Sequence, residues 1–287
     1  MRVMVLGAKG QLGGAFCEFL RPQVHVYPFS REELDITDLG ALMRMCSELS
    51  PSLILNCAAY TQVDRAEEER ARSYLVNALG ARNVAFCGYK VGAKVVYFST
   101  DYVFDGEKRT PYTEFDPPSP LSVYGHSKLW GEKFTALFNP DHLIIRVSWL
   151  YGRRGKNFVK TLVRLVKEEG KKTLRIVVDQ KGTPTYAEDV VGKTWELVER
   201  NAVGLYHVTN GGETTWFHFA QEIVRLLDLP AEVVPIESSA YLALAKRPSY
   251  SVLHNLMLQL EGIPLLRNWQ EALGEFLHSW REGILHG

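Results

Sequence analysis

Five short apolar runs punctuate the first 150 residues: positions 3–6, 24–27, 52–56, 93–98 and 142–147. Apart from Val24-His25-Val26-Tyr27, they do not alternate apolar with polar, as a strand wet on one face would. Continuous runs of this length suit parallel strands covered on both sides. Between them lie stretches with helical spacing, up to Leu20, over 39–49, over 74–91 and around Tyr124. Strand–helix units repeated in this way predict an α/β fold, a Rossmann-like doubly wound parallel sheet.

Beyond Leu150 the pattern loosens. Helices are expected over 156–169, 187–200, 214–227 (with Thr214 as a cap) and 269–284, and strands over 174–178 and 204–208. The last helix sets Trp269, Leu273, Phe276, Leu277 and Trp280 on one side. The 204–208 strand is expected at an edge of the main sheet. This divides the chain into a dinucleotide-binding domain, 1–150 plus about 187–208, and a smaller, discontinuous α+β substrate-binding region, about 151–186 and 209–287.

Composition narrows the functional classes. Apolar residues make up 46% and charged residues 23% of 287, ordinary for a globular protein. Lys+Arg and Asp+Glu both number 33, so no net charge favours nucleic acid or an acidic membrane. No apolar run approaches the ~20 residues that span a bilayer. Cys17, Cys46, Cys57 and Cys87 form no C-x-x-C pair and sit in apolar stretches, so buried free thiols are expected. The first strand begins at Arg2 with no leader before it, and a cytoplasmic protein is expected.

Candidate chemistry falls at the carboxyl ends of the predicted strands. After the first comes Gly7-Ala8-Lys9-Gly10-Gln11-Leu12-Gly13, a G-x-x-G-x-x-G turn opening a helix. Such a turn lets backbone N–H groups and a helix N-terminus meet a pyrophosphate. After the second come Ser30 and Arg31, where an NAD-binding fold usually places an acid. A hydroxyl and a guanidinium suit a 2′-phosphate and so favour NADPH; a solvated turn is the alternative. Next, Thr37 or Asp38 can cap the 39–49 helix, while Asp35 is placed to approach an adenine. The third strand ends in small residues, including Ala58 and Ala59, that permit close approach of a cofactor. Asp64 to Glu69 is a charge run suited to a solvated helix start.

The fourth strand delivers Ser99-Thr100-Asp101. Tyr124 and Lys128 lie four apart and share a helix face. A free phenol has a pKa near 10, and a neighbouring ammonium favours its ionised form. A hydroxyl at Thr100, the phenol and the lysine together suit proton transfer to a carbonyl that receives a hydride. An amphipathic helix with an exposed lysine is the structural alternative.

With the glycine turn, Asn56-Cys57-Ala58-Ala59, Ser99-Thr100 and Tyr124-x-x-x-Lys128 in place, the chain resembles the extended short-chain dehydrogenase/reductases. L-D-I-T-D at 34–38, S-T-D-Y-V-F-D-G at 99–106, P-L-S-V-Y-G-H-S-K-L-W-G-E at 120–132, S-W-L-Y-G at 148–152, D-Q-K-G-T-P-T at 179–185 and R-P-S-Y-S-V-L at 247–253 are similar to the dTDP-4-dehydrorhamnose reductases within them. The resemblance spans nearly the whole chain. It implies reduction of a dTDP-4-keto-sugar with NADPH, or NADH, as the last step of dTDP-L-rhamnose synthesis. Tyr124 is then the proton donor, Lys128 holds the nicotinamide ribose and lowers the Tyr124 pKa, and Thr100 bonds the reacting sugar oxygen. Gly7, Gly10, Gln11, Leu12 and Gly13 line the pyrophosphate, and Asp35 and Ile36 the adenine. Ala58, Ala59, Thr61 and Asn77 stand among the cofactor contacts. Asp101 and Trp149 contact the sugar, with Asn157, Gln180 and Arg247 placed near the dTDP moiety. Some relatives carry an acid after the glycine loop that helps bind Mg²⁺ between subunits; here Gly14 and Ala15 stand there. No metal ligand is assigned, and Mg²⁺, with Glu188 as a remaining ligand, and a homodimer are left open. The alternatives are another nucleotide-sugar reductase or epimerase, or a non-catalytic regulatory subunit resembling that of methionine adenosyltransferase.

Overall fold

The structure, a computed structural model, describes residues 1–240 and 243–285. The five apolar runs form β1 (Arg2–Leu6), β2 (His25–Phe29), β3 (Leu53–Asn56), β4 (Lys94–Thr100) and β5 (His142–Val147). A sixth strand, Gly204–His207, joins them in one sheet, with the order Gly204–His207, β5, β4, β3, β1, β2. Every pair is parallel; Val3 faces Val26 on one side and Leu53 on the other. β3 and β4 are buried at every position, which explains why their sequences carry no alternation.

Two apolar layers sandwich the sheet. One joins Leu12, Phe16 and Leu20 of α1 (Gln11–Leu20) to Val190, Val191 and Trp195 of the helix Ala187–Glu199. The other holds Leu42 and Cys46 of α2 (Leu39–Leu49) against Val84 and Cys87. A third core, around Tyr151, Leu162, Tyr186, Phe219, Leu273 and Phe276, belongs to the C-terminal region. There Thr173–Val177 pairs in parallel with Glu232–Ile236, and Leu150–Tyr151 with Thr185–Tyr186. Cys17, Cys46 and Cys87 are buried free thiols, whereas Cys57 is only partly buried. Among the described residues no helix is long and apolar enough to cross a membrane.

Strand order locates the cleft. From β1 the chain steps outward to β2, then returns to β3 on the other side and continues to β4 and β5. Crossovers diverge between β1 and β3, and the crevice opens at the carboxyl ends of those strands. The turns after β1, β3, β4 and β5 all empty into it.

As expected, Asp38 caps α2 by accepting from Ala41 N at 2.9 Å, and Asp35 accepts from Thr37 N at 2.9 Å. Two expectations need correction. The 74–91 helix is interrupted: Leu75–Gly80 is a π-helical turn between Arg70–Tyr74 and Ala81–Val91. The charge run is not simply solvated. Asp64 pairs with Arg247 at 2.7 Å, and Glu67 accepts the Val123 N–H at 2.8 Å.

Candidate active site

The glycine turn is set by steric need. Gly7 sits at φ +75°, and a Cβ there would lie 2.8 Å from the Ala58 backbone nitrogen. A Cβ on Gly13 would lie 2.3 Å from the Gly7 carbonyl oxygen. Glycine at both places lets β1, the β3 loop and α1 close on one another, leaving Gly10 at the cap of α1 in extended geometry. The free N–H groups of a ten-residue helix then face the crevice, a setting that favours an anion.

Two cavities meet around this turn and share Gly10, Cys57, Ala58 and Ala59. The smaller, about 260 Å³, lies toward β2 and is lined by Gly7, Ser30, Arg31, Asp35 and Ile36. The larger, about 710 Å³, contains Gln11, Leu12, Thr61, Thr100, Asp101, Tyr124, Lys128 and Trp149. Sixteen of the predicted site residues thus lie along one continuous crevice.

The helix Val123–Phe138 carries the phenol and the lysine. Ser122 caps it by accepting from Gly125 N at 3.1 Å, and Glu67 satisfies the Val123 N–H. One turn separates Tyr124 from Lys128, so both reach the cavity. Lys128 is 3% exposed, donates to the Phe98 carbonyl and lies 4.1 Å from the centroid of the Tyr97 ring. Burial pulls its ammonium down to about 7, opposed by the charge of Glu132. The expected lowering of the Tyr124 phenol by Lys128 is not met. Burial pushes Tyr124 up to about 12, the Thr100 hydroxyl pulls it back, and the Asp101 charge raises it. Desolvation outweighs the neighbouring cation, whose charge is directed at a carbonyl and a ring face.

Thr100 and Asp101 follow β4 directly. Thr100 Oγ1 donates to Asp101 Oδ1 at 3.0 Å and accepts from Tyr102 N at 3.2 Å. Ser148 donates to Asp101 Oδ2 at 3.3 Å. Asp101 is buried, and its carboxyl is pushed up to about 6 by that burial, against hydrogen bonds from Ser251, Thr100 and Ser148.

Five predicted residues lie outside the crevice lining. Gly13 serves the packing just described. Asn77, in the π-helical turn, is buried: its Oδ1 accepts from Tyr60 N at 2.8 Å, and its Nδ2 donates to Tyr60 O at 3.0 Å and to Ser127 Oγ at 2.9 Å. It holds the β3 loop to the Tyr124 helix. Asn157 caps the helix Phe158–Lys167 through Lys160 N at 3.0 Å, and donates to Gln11 Oε1 at 3.3 Å. Gln180 is buried and does not line the crevice. Arg247 grips Asp64 with two nitrogens, at 3.1 and 2.7 Å.

Sequence reasoning missed Trp216. Its ring stacks on Trp149 at 3.6 Å and 7°, and both line the larger cavity. Trp149 itself sits at φ 44°. The aromatic pair Trp216-Phe217 after a polar loop was the available signal. The helix begins at Trp216, capped by Thr215 through His218 N at 3.2 Å, while Thr214 pairs with Gly182 in a short antiparallel ladder. Lys9, Cys57, Tyr102 and Phe158 also line the crevice. Glu188 pairs with Arg153 at 3.7 Å, and among the described residues no group of three acids, histidines or cysteines could hold a metal ion.

Comparison with known proteins agrees with this geometry. The family model described as RmlD substrate binding domain matches residues 1–282. A dTDP-4-dehydrorhamnose reductase of Burkholderia thailandensis is 38% identical, over 96% of this chain and 97% of its own. The spore coat polysaccharide biosynthesis protein SpsK of Bacillus subtilis is also 38% identical, over 97% of each. The crystal structure of dTDP-4-dehydrorhamnose reductase from Bacillus anthracis in complex with NADP superposes with a TM-score of 0.94 at 43% identity, covering 97% of this chain and 99% of its own. Matched from end to end by the RmlD substrate binding domain model and by relatives of its own length, the chain belongs to the dTDP-4-dehydrorhamnose reductase family.

Proposed function

We propose that this protein reduces the 4-keto group of dTDP-4-dehydro-β-L-rhamnose to dTDP-β-L-rhamnose, with NADPH as reductant and NADH as an alternative. The observation that carries the reading is convergence. Thr100, Tyr124 and Lys128 face one cavity of about 710 Å³, continuous with the crevice at the glycine turn. Removal of any Cβ at Gly7 and Gly13 and the free N-terminus of α1 fit a pyrophosphate there. The bound nicotinamide supplies the hydride. Gly7, Gly10, Gln11 and Leu12 hold its pyrophosphate, Asp35 and Ile36 lie at the adenine, and Ser30 with Arg31 takes a 2′-phosphate.

The chain's own groups handle the proton. Tyr124 gives its phenolic proton to the oxygen that becomes the new hydroxyl. Thr100 holds that oxygen against the phenol. Lys128, anchored on the Phe98 carbonyl, supports the ribose and the charge on Tyr124. The stacked Trp149 and Trp216 form an apolar wall for the sugar, and the smaller, discontinuous region after Leu150 acts as the substrate-binding part over the cofactor-binding sheet. A dTDP-keto-sugar assay with each nicotinamide in turn, with and without Mg²⁺, tests this. Oxidation of NADPH is expected with the dTDP sugar. Turnover only with a UDP- or GDP-keto-sugar would transfer the chain to another nucleotide-sugar activity.

A further inference from the structure

Trp149 holds a backbone conformation that a bulky side chain avoids, with φ at 44° in the left-handed region. Such an outlier persists where its surroundings enforce it. Two other segments of the chain close on its indole. The Trp216 ring lies face to face with it at 3.6 Å and 7°. Gly182 packs against the same indole: a Cβ there would lie 2.5 Å from Cε2 and 2.6 Å from Nε1. Gly182 has no positive φ, so the indole, and not the backbone, excludes a side chain. The two holding residues are themselves joined, since Gly182 pairs with Thr214 in the ladder that leads into the Trp216 helix. Phe158 rests on Trp216 in turn, with ring centroids 4.7 Å apart. Gly182 and Trp216 form a bracket, and the indole cannot turn aside without breaking the stack.

The bracketed ring stands next to the reacting groups. Thr100 pairs with Val147 across β4 and β5, and Ser148 donates to Asp101 at 3.3 Å. Trp149 follows directly, so its indole leaves the sheet beside Thr100. The lining of the larger cavity divides accordingly. Thr100, Asp101 and Tyr124 supply hydrogen-bonding groups, and Val147, Trp149, Leu150, Phe158 and Trp216 supply apolar surface. A sugar whose C4 oxygen lies at Thr100 and Tyr124 carries its C5 substituent on the adjoining carbon. In a 6-deoxy sugar that substituent is a methyl group, which apolar surface accepts. A hydroxymethyl group in the same place would bury a hydroxyl against carbon, without a partner. An apolar pocket rejects an added hydroxyl by only about 100-fold, and only if the wall does not give way.

We propose that Gly182 and Trp216 are positioning residues that hold the Trp149 indole as a gauge of the C5 substituent, making the cavity selective for a 6-deoxy-4-keto-sugar; this rests on the ketoreductase reading above. Neither residue acts on the carbonyl. Both act through Trp149, by denying it the room to yield to a larger and more polar group.

The test compares kcat/KM, with NADPH, for two dTDP-4-keto-sugars that differ only at C6, one with a methyl and one with a hydroxymethyl group. Wild type should favour the methyl sugar by about 10–100-fold. Trp216→Leu fills space without a flat face and should cut that preference to about threefold or less, chiefly by slowing the methyl sugar. Trp216→Phe keeps a flat ring and should retain most of the preference. Gly182→Ala, which pushes the indole from its seat, should behave as Trp216→Leu does. NADPH affinity should stay within about twofold of wild type in all three. Both sugars are read on one preparation, so a loss of folded protein lowers both rates and leaves their ratio unchanged. A wild type that reduces the two sugars equally well overturns the selectivity and leaves the ketoreductase reading standing. Trp216→Leu or Gly182→Ala keeping the wild-type ratio, or Trp216→Phe losing as much of it as Trp216→Leu, overturns the bracket. A wild type inert toward both sugars overturns the ketoreductase reading and the selectivity with it.

Discussion

A single side chain in this crevice is governed first by desolvation. Tyr124 sits beside Thr100 and on the same helix face as Lys128, yet burial drives its phenol up to about 12. It therefore keeps its proton at neutral pH, as the proposed donor role requires, and Tyr124→Phe should lower kcat by about 10²–10⁴-fold while NADPH binding, followed by its fluorescence, persists. Asp101 offers a second check. Its folded pKa of about 6 exceeds the ~3.9 of an exposed aspartate. A raised carboxyl contributes stability that is full below about pH 4 and is lost as pH climbs past 6. Asp101→Asn should accordingly be stabilised relative to wild type by about 3 kcal/mol at pH 8 and hardly at all at pH 4, measured by urea unfolding.

Residue identity was legible where chemistry requires it and opaque where partners decide it. Glycines and the Tyr124–Lys128 spacing are local constraints, so they show in the sequence. Asn77 and Arg247 look like ligand residues by type. Their hydrogen bonds run to Tyr60, 17 positions away, and to Asp64, 183 positions away, and only the fold reveals them. Asn157, which the resemblance places near the dTDP moiety, caps the helix Phe158–Lys167.

At the scale of elements, a buried ionic cluster fixes the Tyr124 helix to the sheet. Glu132, one turn beyond Lys128, accepts from Arg146 Nε at 2.8 Å and Nη2 at 2.7 Å, and also from Ser99 beside Thr100. Arg146 lies over the Phe104 ring at 5.1 Å and meets His207 of the edge strand at 3.5 Å. Burial and the Arg146 charge pull His207 down to about 3, so it stays neutral beside that cation. The cluster therefore joins β4, β5, the edge strand and the helix at the level where the reacting groups emerge. Glu132→Ala would leave a buried guanidinium without its carboxylate. The expected loss is about 3–5 kcal/mol in urea unfolding, larger than for the double replacement Glu132→Leu with Arg146→Leu. The strands themselves were readable from apolar runs. The π-helical turn at Leu75–Gly80 was not, because nothing in helical spacing distinguishes one extra residue in a turn.

Across the whole molecule, the C-terminal region is fastened to the sheet at several points, among them Asn157 to Gln11 and Ser249 to the Gly106 carbonyl. Another is the two-nitrogen grip of Arg247 on Asp64, reinforced by Ala245 N donating to Asp64 at 3.1 Å. Asp64 belongs to the helix Val63–Glu68, whose first residue lines the larger cavity. The Arg247 guanidinium holds the Asp64 carboxyl below the usual range, so this fastening persists near neutral pH and weakens as acid protonates it. Asp64→Ala should raise the KM for the keto-sugar by about 5-fold, a pair worth about 1 kcal/mol, with NADPH affinity unchanged in a binding titration. The third core, gathered from 151–166, 174, 186, 219–229 and 269–277, could not be assembled from sequence pattern alone, since its pieces are brought together by the crossing chain.

Two indoles lying face to face at 3.6 Å in the lining of the larger cavity have an optical consequence. Rings so close and so nearly parallel share their excited states, which splits their circular dichroism and dims their emission. Anything that slides between Trp149 and the cavity, or tilts Trp216, disturbs that coupling. The protein thus carries its own chromophore pair in the wall of the larger cavity, and occupancy of that cavity can be followed by light without a label.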